Sequence, residues 1–401
     1  MRNKKIFAFI FFSAFFLNGF AIEFYFDYKE NTGYTISSVV REHVYFNGVF
    51  SHNAEINNHA FVKIQKVHPD KSADFTATYT ASDKSTLVTG NFVSWGKEYK
   101  SSFNVSRLGK YTISDEFYMP SVRDVPVFPE GNVEKDDIWE RASSEAHDLG
   151  RQFGMTKPII IPARTLYQYM GEMPRPLGDE VLHVINVHHK VGGPIPHPPN
   201  TTEEVPIRME GTSNMTLMWD NERHRLDHYN ENFEISLYTN KGNVMTFKGY
   251  AHSSLTESSL GEEEVNQIRE KIEELDLDGV EVEKSDKGIS LSIDSIQFEA
   301  NSDKFLDGQD EKLEKIATIL REFKYNNLLI SGHTALAGTE ETRAVLSLKR
   351  ARAVARYLKE KGVKQDKEMF VEGLGAERPV ADNDTEEGMA KNRRVEITIL
   401  D

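Results

Sequence analysis

One stretch constrains the fold of this chain more than any other, because a short apolar strand, a tight turn and a long basic helix follow one another there. The pattern predicts a strand over residues 327–331, a turn at Gly332-His333-Thr334 and a helix over residues 339–361. Apolar residues recur along the helix at spacings of three and four, which gives it one buried face. Its other face carries Arg343, Arg350, Arg352 and Arg356. A turn beside an arginine-bearing helix suits an anionic or carboxylate ligand, and the alternative is a solvated helix face.

The first residues have the organisation of a secretory signal. Arg2, Lys4 and Lys5 precede an apolar run over residues 6–17, and small residues lead up to Ala21. The run is too short to cross a bilayer comfortably. We expect a signal peptide at residues 1–21, with an uncleaved membrane anchor as the alternative. No later stretch is apolar enough for a membrane span, so none is expected after signal cleavage.

Composition limits the partners of the mature chain. The sequence has no cysteine, so an exported form would have neither disulfides nor a cysteine for lipid attachment. The formal net charge is −15, and removal of residues 1–21 deletes three cations and no acid, which gives −18. A chain this acidic is a poor nucleic-acid binder, so we expect no nucleic-acid partner. Its acidic surface suits contacts with basic proteins of the cell envelope.

Residues 22–258 are rich in strand signals and are expected to form a β-rich N-terminal region. Twelve of the fourteen prolines lie between residues 120 and 206, which argues against continuous central strands there. The region is therefore expected to form either one unit or two, with a break near residues 120–130. A helix is expected over residues 135–149, and Thr239–Asn243 is expected to form a hairpin turn. His183, His188, His189 and His197 are expected to be ordinary strand and loop residues, so we expect no metal site and no cofactor.

A polar stretch at residues 251–259 is the expected linker to a C-terminal domain over residues 262–401. Helix and strand signals alternate there, with strands expected over residues 289–297, 327–331, 368–372 and 394–400 and helices over residues 304–324 and 339–361. The order predicts an α/β sandwich of βαβαββ type, with helices packed on a mixed sheet. The fold class expected for the whole chain is α+β.

Five motifs in the C-terminal domain have a specific order and spacing. They are Phe298 with Asn301-Ser302, Gly332-His-Thr334, Leu346-Ser-Leu-Lys-Arg-Ala351, Gly373-Leu-Gly-Ala-Glu-Arg-Pro379 and Asn392-Arg-Arg-Val-Glu-Ile397. This arrangement resembles the OmpA-like C-terminal domain, the peptidoglycan-associating domain of bacterial envelope proteins. The resemblance covers about the last third of the chain and does not extend to residues 22–258.

The resemblance implies a pocket for the free amino-acid end of diaminopimelate in a peptidoglycan stem peptide. In the family, an arginine before the alanine of the helix motif pairs with the ligand carboxylate, and here it is Arg350. An aspartate after the Gly-His-Thr turn pairs with the ligand ammonium, but Ala335 stands at that position. Arg343 replaces an asparagine usual in the motif. The ligand-binding residues expected here are Arg350, Arg343, Asn301, Ser302, Thr334, Ala335 and Arg394.

These observations predict a noncatalytic periplasmic protein of a double-membraned bacterium. We expect it to associate with peptidoglycan through a pocket that keeps a carboxylate receptor and lacks an ammonium receptor, with outer-membrane association left open. The alternative is an OmpA-like domain that no longer binds cell wall and serves as a scaffold for other proteins. In that case Arg350 and Arg394 would pair with internal acids such as Glu372 or Glu396. No nucleophile, base or paired-carboxylate arrangement in the sequence predicts an enzyme.

Overall fold

The computed structural model describes residues 21–83, 92–175, 180–197, 201–258, 260–293, 296, 298–299 and 301–401. The signal expected at the N-terminus therefore lies, apart from Ala21, outside the described residues. Among these residues, none of the helices has the length and apolar character that crossing a membrane requires.

The N-terminal region is built from strands that mostly follow one another as antiparallel neighbours. The strands are β1 (Ile22–Glu23), β2 (Gly33–Phe46), β3 (Val49–Val67), β4 (Ala73–Asp83), β5 (Val93–Ser94), β6 (Glu98–Val105), β7 (Tyr111–Thr112), β8 (Val122–Arg123), β9 (Asn132–Val133), β10 (Ile138–His147), β11 (Ile159–Pro174), β12 (Val181–Pro194), β13 (Pro206–Asp220), β14 (Arg225–Thr239) and β15 (Val244–Glu257). One short helix, α1 (Gly150–Phe153), lies between β10 and β11.

Twelve of these strands form one sheet in the order β7-β6-β4-β3-β2-β15-β14-β13-β12-β11-β10-β8. The sheet contains strands from both sides of residues 120–130. It curls until its two ends approach, since the Tyr99 hydroxyl of β6 donates to Asp148, just beyond β10 (2.6 Å). Apolar side chains of alternate strand positions fill the inside of the curl, with Phe24, Tyr167 and Trp219 among the largest buried ones.

Two expectations for this region are wrong. Residues expected to form a helix at 135–149 mostly belong to β10, which pairs with β11 along its whole length. Long strands also cross the proline-rich window. Pro174, Pro194 and Pro206 lie at strand ends. The pairing of β11 with β12 begins at Ala163, just after Pro162, so the missing N–H of Pro162 interrupts no hydrogen bond between β11 and β12.

His183, His188 and His189 are strand residues of β12, and the predicted hairpin turn is present. His183 and His189 point into the sheet and are 4% and 1% exposed, whereas His188 faces outward. His189 lies between Glu145 (2.9 Å) and the Thr165 hydroxyl (2.9 Å), so its ring serves a buried polar network. The turn between β14 and β15 contains Gly242 at φ +82°, a conformation that glycine adopts without strain.

The C-terminal region alternates helix and strand. Its elements are α2 (Glu262–Glu274), β16 (Val280–Ser285), β17 (Gly288–Ile293), α3 (Gln309–Leu320), β18 (Leu328–Gly332), α4 (Glu340–Glu360), β19 (Met369–Gly373), α5 (Glu386–Asn392) and β20 (Val395–Leu400). The expected βαβαββ order lacked α2, β16 and α5. The linker expected at residues 251–259 is largely part of β15, which pairs with β2 through Glu257.

The C-terminal sheet has the order β16-β17-β20-β18-β19-β5, so β5 joins it from the N-terminal region. Strands β18, β19 and β5 are parallel, and the other pairs are antiparallel. The helices cover one face, where Leu313, Ile330 and Val354 are fully buried. Helix α4 begins after Thr339, whose hydroxyl accepts the Thr342 N–H, and ends close to the left-handed Gly362, so its bounds agree with the predicted 339–361.

Candidate functional site

The turn that follows β18 is fixed by backbone hydrogen bonds from two other segments. The His333 N–H donates to the Arg394 carbonyl (3.0 Å), and the Thr334 N–H donates to the Gly375 carbonyl (2.8 Å). His333 and Thr334 are both buried, and Ala335, the next residue, is only 5% exposed. A buried methyl group therefore occupies the position at which the OmpA-like pattern has an aspartate.

Helix α4 approaches this turn so closely that two glycines are required. A Cβ on Gly332 would lie 2.7 Å from the carbonyl carbon of Ser347, and one on Gly373 would lie 2.6 Å from a backbone oxygen of the same helix. The Ser347 hydroxyl accepts the Gly375 N–H (3.0 Å). These contacts fix the helix one turn before Arg350.

Arg350 is a buried cation with few partners. The residue is 8% exposed, its Nε donates to the Ser302 carbonyl (3.2 Å), and its guanidinium lies 4.9 Å from the centroid of the Phe298 ring. Burial, and then the charge of Arg393, lower the pKa of Arg350. Among the residues that the structure describes, no carboxylate forms an ion pair with it. A cation held in this way is an available receptor for an anion.

The segment around Ser302 covers one side of Arg350. Asn301 is exposed and has φ +53°, the left-handed conformation that asparagine tolerates. The Ser302 N–H donates to the Glu299 carbonyl (3.1 Å), which closes a turn. Ser302 therefore lies beside Arg350 and contacts it through its backbone carbonyl.

Arg394, the second arginine expected at the site, has an internal partner. Its Nε donates to Glu396 (2.8 Å), and the ring of His333 lies 3.4 Å from the same carboxylate. Burial alone would raise the pKa of Glu396, but its contacts with His333 and Arg394 lower it to about 2. Glu372 accepts a hydrogen bond from Ser331 (2.6 Å). Arg394 thus pairs with an internal carboxylate beside the turn, whereas Arg350 has no such pair among the described residues.

The hydrogen bonds of Arg343 and of the residue after Ala335 are made with neutral groups. Arg343 donates to the Gly338 carbonyl at the start of its own helix (2.6 Å). Beside Ala335, the Asn383 side-chain oxygen accepts the Leu336 N–H (3.0 Å). An amide rather than a carboxylate therefore borders the turn there.

The sequence did not reveal the part that two residues play beside Arg350. Phe298 was recognised only as part of a motif, and its ring proves to lie against the guanidinium of Arg350. Arg393 is exposed and acts on Arg350 through its charge. The pair Arg393-Arg394 was the available signal, because neighbouring residues at the start of a strand face opposite sides and only one of them can pair inward.

Comparison with known proteins relates the C-terminal domain to a protein family. The model of the OmpA family matches residues 297–393. The chain is 35% identical over 118 residues to the outer-membrane lipoprotein YfiB of Pseudomonas aeruginosa, a match that covers 29% of this chain and 70% of that protein. It is 43% identical over 89 residues to the peptidoglycan-binding protein ArfA of Mycobacterium bovis, covering 22% and 27% of the two chains. A solved outer-membrane protein of Borrelia burgdorferi B31 is 44% identical, covers 30% of this chain and 97% of its own, and superposes with a TM-score of 0.26.

The chain belongs to the OmpA family through its C-terminal domain. It spans only 55%, 45% and 27% of the length of several curated relatives that it matches. By name, these relatives include lipoproteins, outer-membrane proteins and a peptidoglycan-binding protein, and none of the names describes an enzyme.

Proposed function

We propose that this chain is a noncatalytic periplasmic protein that associates with peptidoglycan through a pocket centred on Arg350. The pocket would be formed by the turn at Thr334 and Ala335, helix α4 and the segment that carries Asn301 and Ser302. The match to the OmpA family and the name of the mycobacterial relative support this class of ligand.

The proposal depends on one observation, that Arg350 is buried and forms no ion pair with a carboxylate among the described residues. A buried guanidinium without a carboxylate is costly, because desolvation of the charge has no compensating ion pair. Arg394 shows the contrasting arrangement, since its guanidinium pairs with Glu396. A ligand carboxylate at Arg350 would supply the missing counter-charge, and the planar guanidinium can bind it through two hydrogen bonds.

Ala335 limits which carboxylate the site can accept. A ligand end that carries both an ammonium and a carboxylate needs two opposite charges, and an ammonium buried beside a methyl group would lack its partner. The pocket therefore suits a carboxylate without a neighbouring ammonium, such as the C-terminal carboxylate of a stem peptide.

Competition with synthetic stem peptides tests this assignment. The full mature chain, residues 22–401, should sediment with purified sacculi at moderate salt, and a stem tetrapeptide with a free C-terminal carboxylate should release it. The same peptide with a C-terminal amide should compete at least tenfold less well, since a charged hydrogen-bonded contact contributes about 1.5–3 kcal/mol. Failure of the chain to sediment would favour the scaffold interpretation, and equal competition by both peptides would contradict carboxylate recognition.

Restoring the family carboxylate should change ligand preference. Ala335→Asp is expected to improve binding of a peptide that ends in an unamidated diaminopimelate by roughly tenfold, since its ammonium then gains a charged partner. Binding of a peptide whose only charge at that end is a carboxylate should not improve. Titration of both peptides into Ala335→Asp and Ala335→Asn, which has a similar volume and no charge, measures the difference. Equal effects of the two substitutions would show that charge at this position does not select the ligand.

A further inference from the structure

The edge of the C-terminal sheet is completed by the N-terminal region. Strand β5 pairs in parallel with β19, with Val93 opposite Phe370 and Ser94 opposite Val371. The pairing continues one residue further, where the Trp95 N–H donates to the Val371 carbonyl (2.9 Å). The strand that leads directly into the Gly373–Pro379 motif is thus held on its outer edge by β5.

An apolar cluster fixes the same contact on the sheet face away from the helices. Leu329 and Phe370 of the C-terminal sheet are 0% and 3% exposed because Phe61 and Trp95 cover them. The Trp95 and Phe370 rings lie edge to face, with centroids 5.2 Å apart. Aromatic pairs of this geometry add to the gain from burying apolar area, so the two regions pack as one body.

Glu98 adds a partly buried charge to this contact. Its carboxylate pairs with Lys287 (2.5 Å) and with Arg378 (3.2 Å), and it also accepts a hydrogen bond from the Trp95 indole (3.0 Å). Burial opposes ionisation of Glu98, but Lys287 and Arg378 lower its pKa to about 2. The carboxylate is therefore charged at neutral pH.

Arg378 connects Glu98 to the candidate site. It belongs to the segment 373–379, in which the Leu374 N–H donates to Gly332 (3.0 Å) and the Gly375 carbonyl accepts the Thr334 N–H. These two hydrogen bonds hold the turn beside Arg350. A charge on the N-terminal sheet is thereby linked, through one arginine and one short segment, to the wall of the pocket.

We propose that Glu98 is a positioning residue for the peptidoglycan site, and that the N-terminal region is an integral part of the wall-binding unit. Glu98 and β5 hold the segment 373–379 in the position that the pocket turn requires. This inference rests on the proposed function of the Arg350 pocket. It also means that the binding unit is the full chain, because residues 262–401 alone would expose Leu329, Phe370 and Leu400.

Sacculus binding by the mature chain, residues 22–401, tests the coupling. Glu98→Gln and Arg378→Gln should each weaken binding about two- to thirtyfold, the range expected for coupling through a contiguous network. The double variant should bind no more weakly than the weaker single variant, because both changes remove the same ion pair. Arg378→Lys should restore most of the affinity, which a loss of packing alone would not do.

Glu140→Gln is the matched control, since Glu140 forms a solvent-exposed pair with Arg164 elsewhere on the N-terminal sheet (2.9 Å). It should bind sacculi like the wild type. Thermal unfolding of each variant identifies any general loss of stability. Absence of binding by the wild type would reject the proposed function itself. Normal binding by a folded Glu98→Gln variant, or additive effects in the double variant, would reject the positioning role alone.

Discussion

Replacement of Arg350 by methionine is expected to weaken sacculus binding ten- to hundredfold without lowering the stability of the fold. Methionine keeps the apolar stem that packs near Phe298 and removes the buried charge, which has no carboxylate partner among the described residues. Loss of a charged hydrogen-bonded contact of about 1.5–3 kcal/mol corresponds to a ten- to hundredfold weaker affinity. The thermal midpoint should stay unchanged or rise, because removing an uncompensated buried charge is favourable to folding.

Lys349→Met is the matched control for this result. Lys349 precedes Arg350 on the same helix but is exposed, so its replacement removes the same charge from the surface. Binding should change little, since an exposed cation contributes mainly a weak, salt-screened attraction. Equal losses in the two variants would indicate that α4 attracts the anionic wall through its overall charge. A marked destabilisation by Arg350→Met would indicate a structural arginine and contradict the pocket.

Much of the C-terminal domain could be predicted because its sequence motifs contain the residues that make close contacts in the fold. The Gly-His-Thr turn, the helix bounds near 339–361 and the position of Arg350 follow from local pattern and family resemblance, and all are present in the structure. Helix α3 begins five residues later than expected, after Gly308 at φ +86°, since a left-handed glycine interrupts the helical path. Of the strand expected over residues 289–297, the part up to Ile293 belongs to β17, and residues 294, 295 and 297 lie outside the described residues.

The N-terminal region was predictable only as β-rich. Residues 138–147 contain good helix formers, yet pairing with β11 along the entire strand outweighs that local preference. Strand β5 has no signal of its own, because two residues cannot establish a period. Its place at the edge of the C-terminal sheet depends on contacts with a segment almost 280 residues later in the chain. Only the folded structure brings those two segments together.

The sequence predicts that Arg350 lies on α4 and that Arg394 lies just before β20, but not which contacts the two side chains make. Arg350 and Arg394 have similar sequence signals, and the difference between them is which one has an internal carboxylate. That difference depends on the side of the strand from which each side chain emerges and on the position of Glu396. Sequence spacing places both arginines near the turn but does not show which one is already paired.

Gly332→Ala is expected to be the most destabilising single substitution near the site. The added methyl group would lie 2.7 Å from the Ser347 carbonyl carbon and overlap the attached oxygen, and both atoms belong to the backbone of α4. Neither can rotate away, so the strand or the helix must shift. Forced overpacking of this kind costs about 3 kcal/mol or more, which lowers the thermal midpoint by about 6–12 °C in a domain of this size.

A glycine in open surroundings provides the comparison for this substitution. Around Gly192, on the outer side of β12, the nearest atom to an added methyl group is 3.7 Å away, an ordinary contact distance. Gly192→Ala should therefore leave the thermal midpoint within about 2 °C of wild type. Because the Gly332 turn also holds Thr334 and Ala335, any Gly332→Ala protein that still folds should bind sacculi more weakly than its stability alone accounts for. A Gly332→Ala protein as stable as the Gly192→Ala control would mean that α4 does not contact the turn as closely as described, and the position of Arg350 beside that turn would then lose its structural basis.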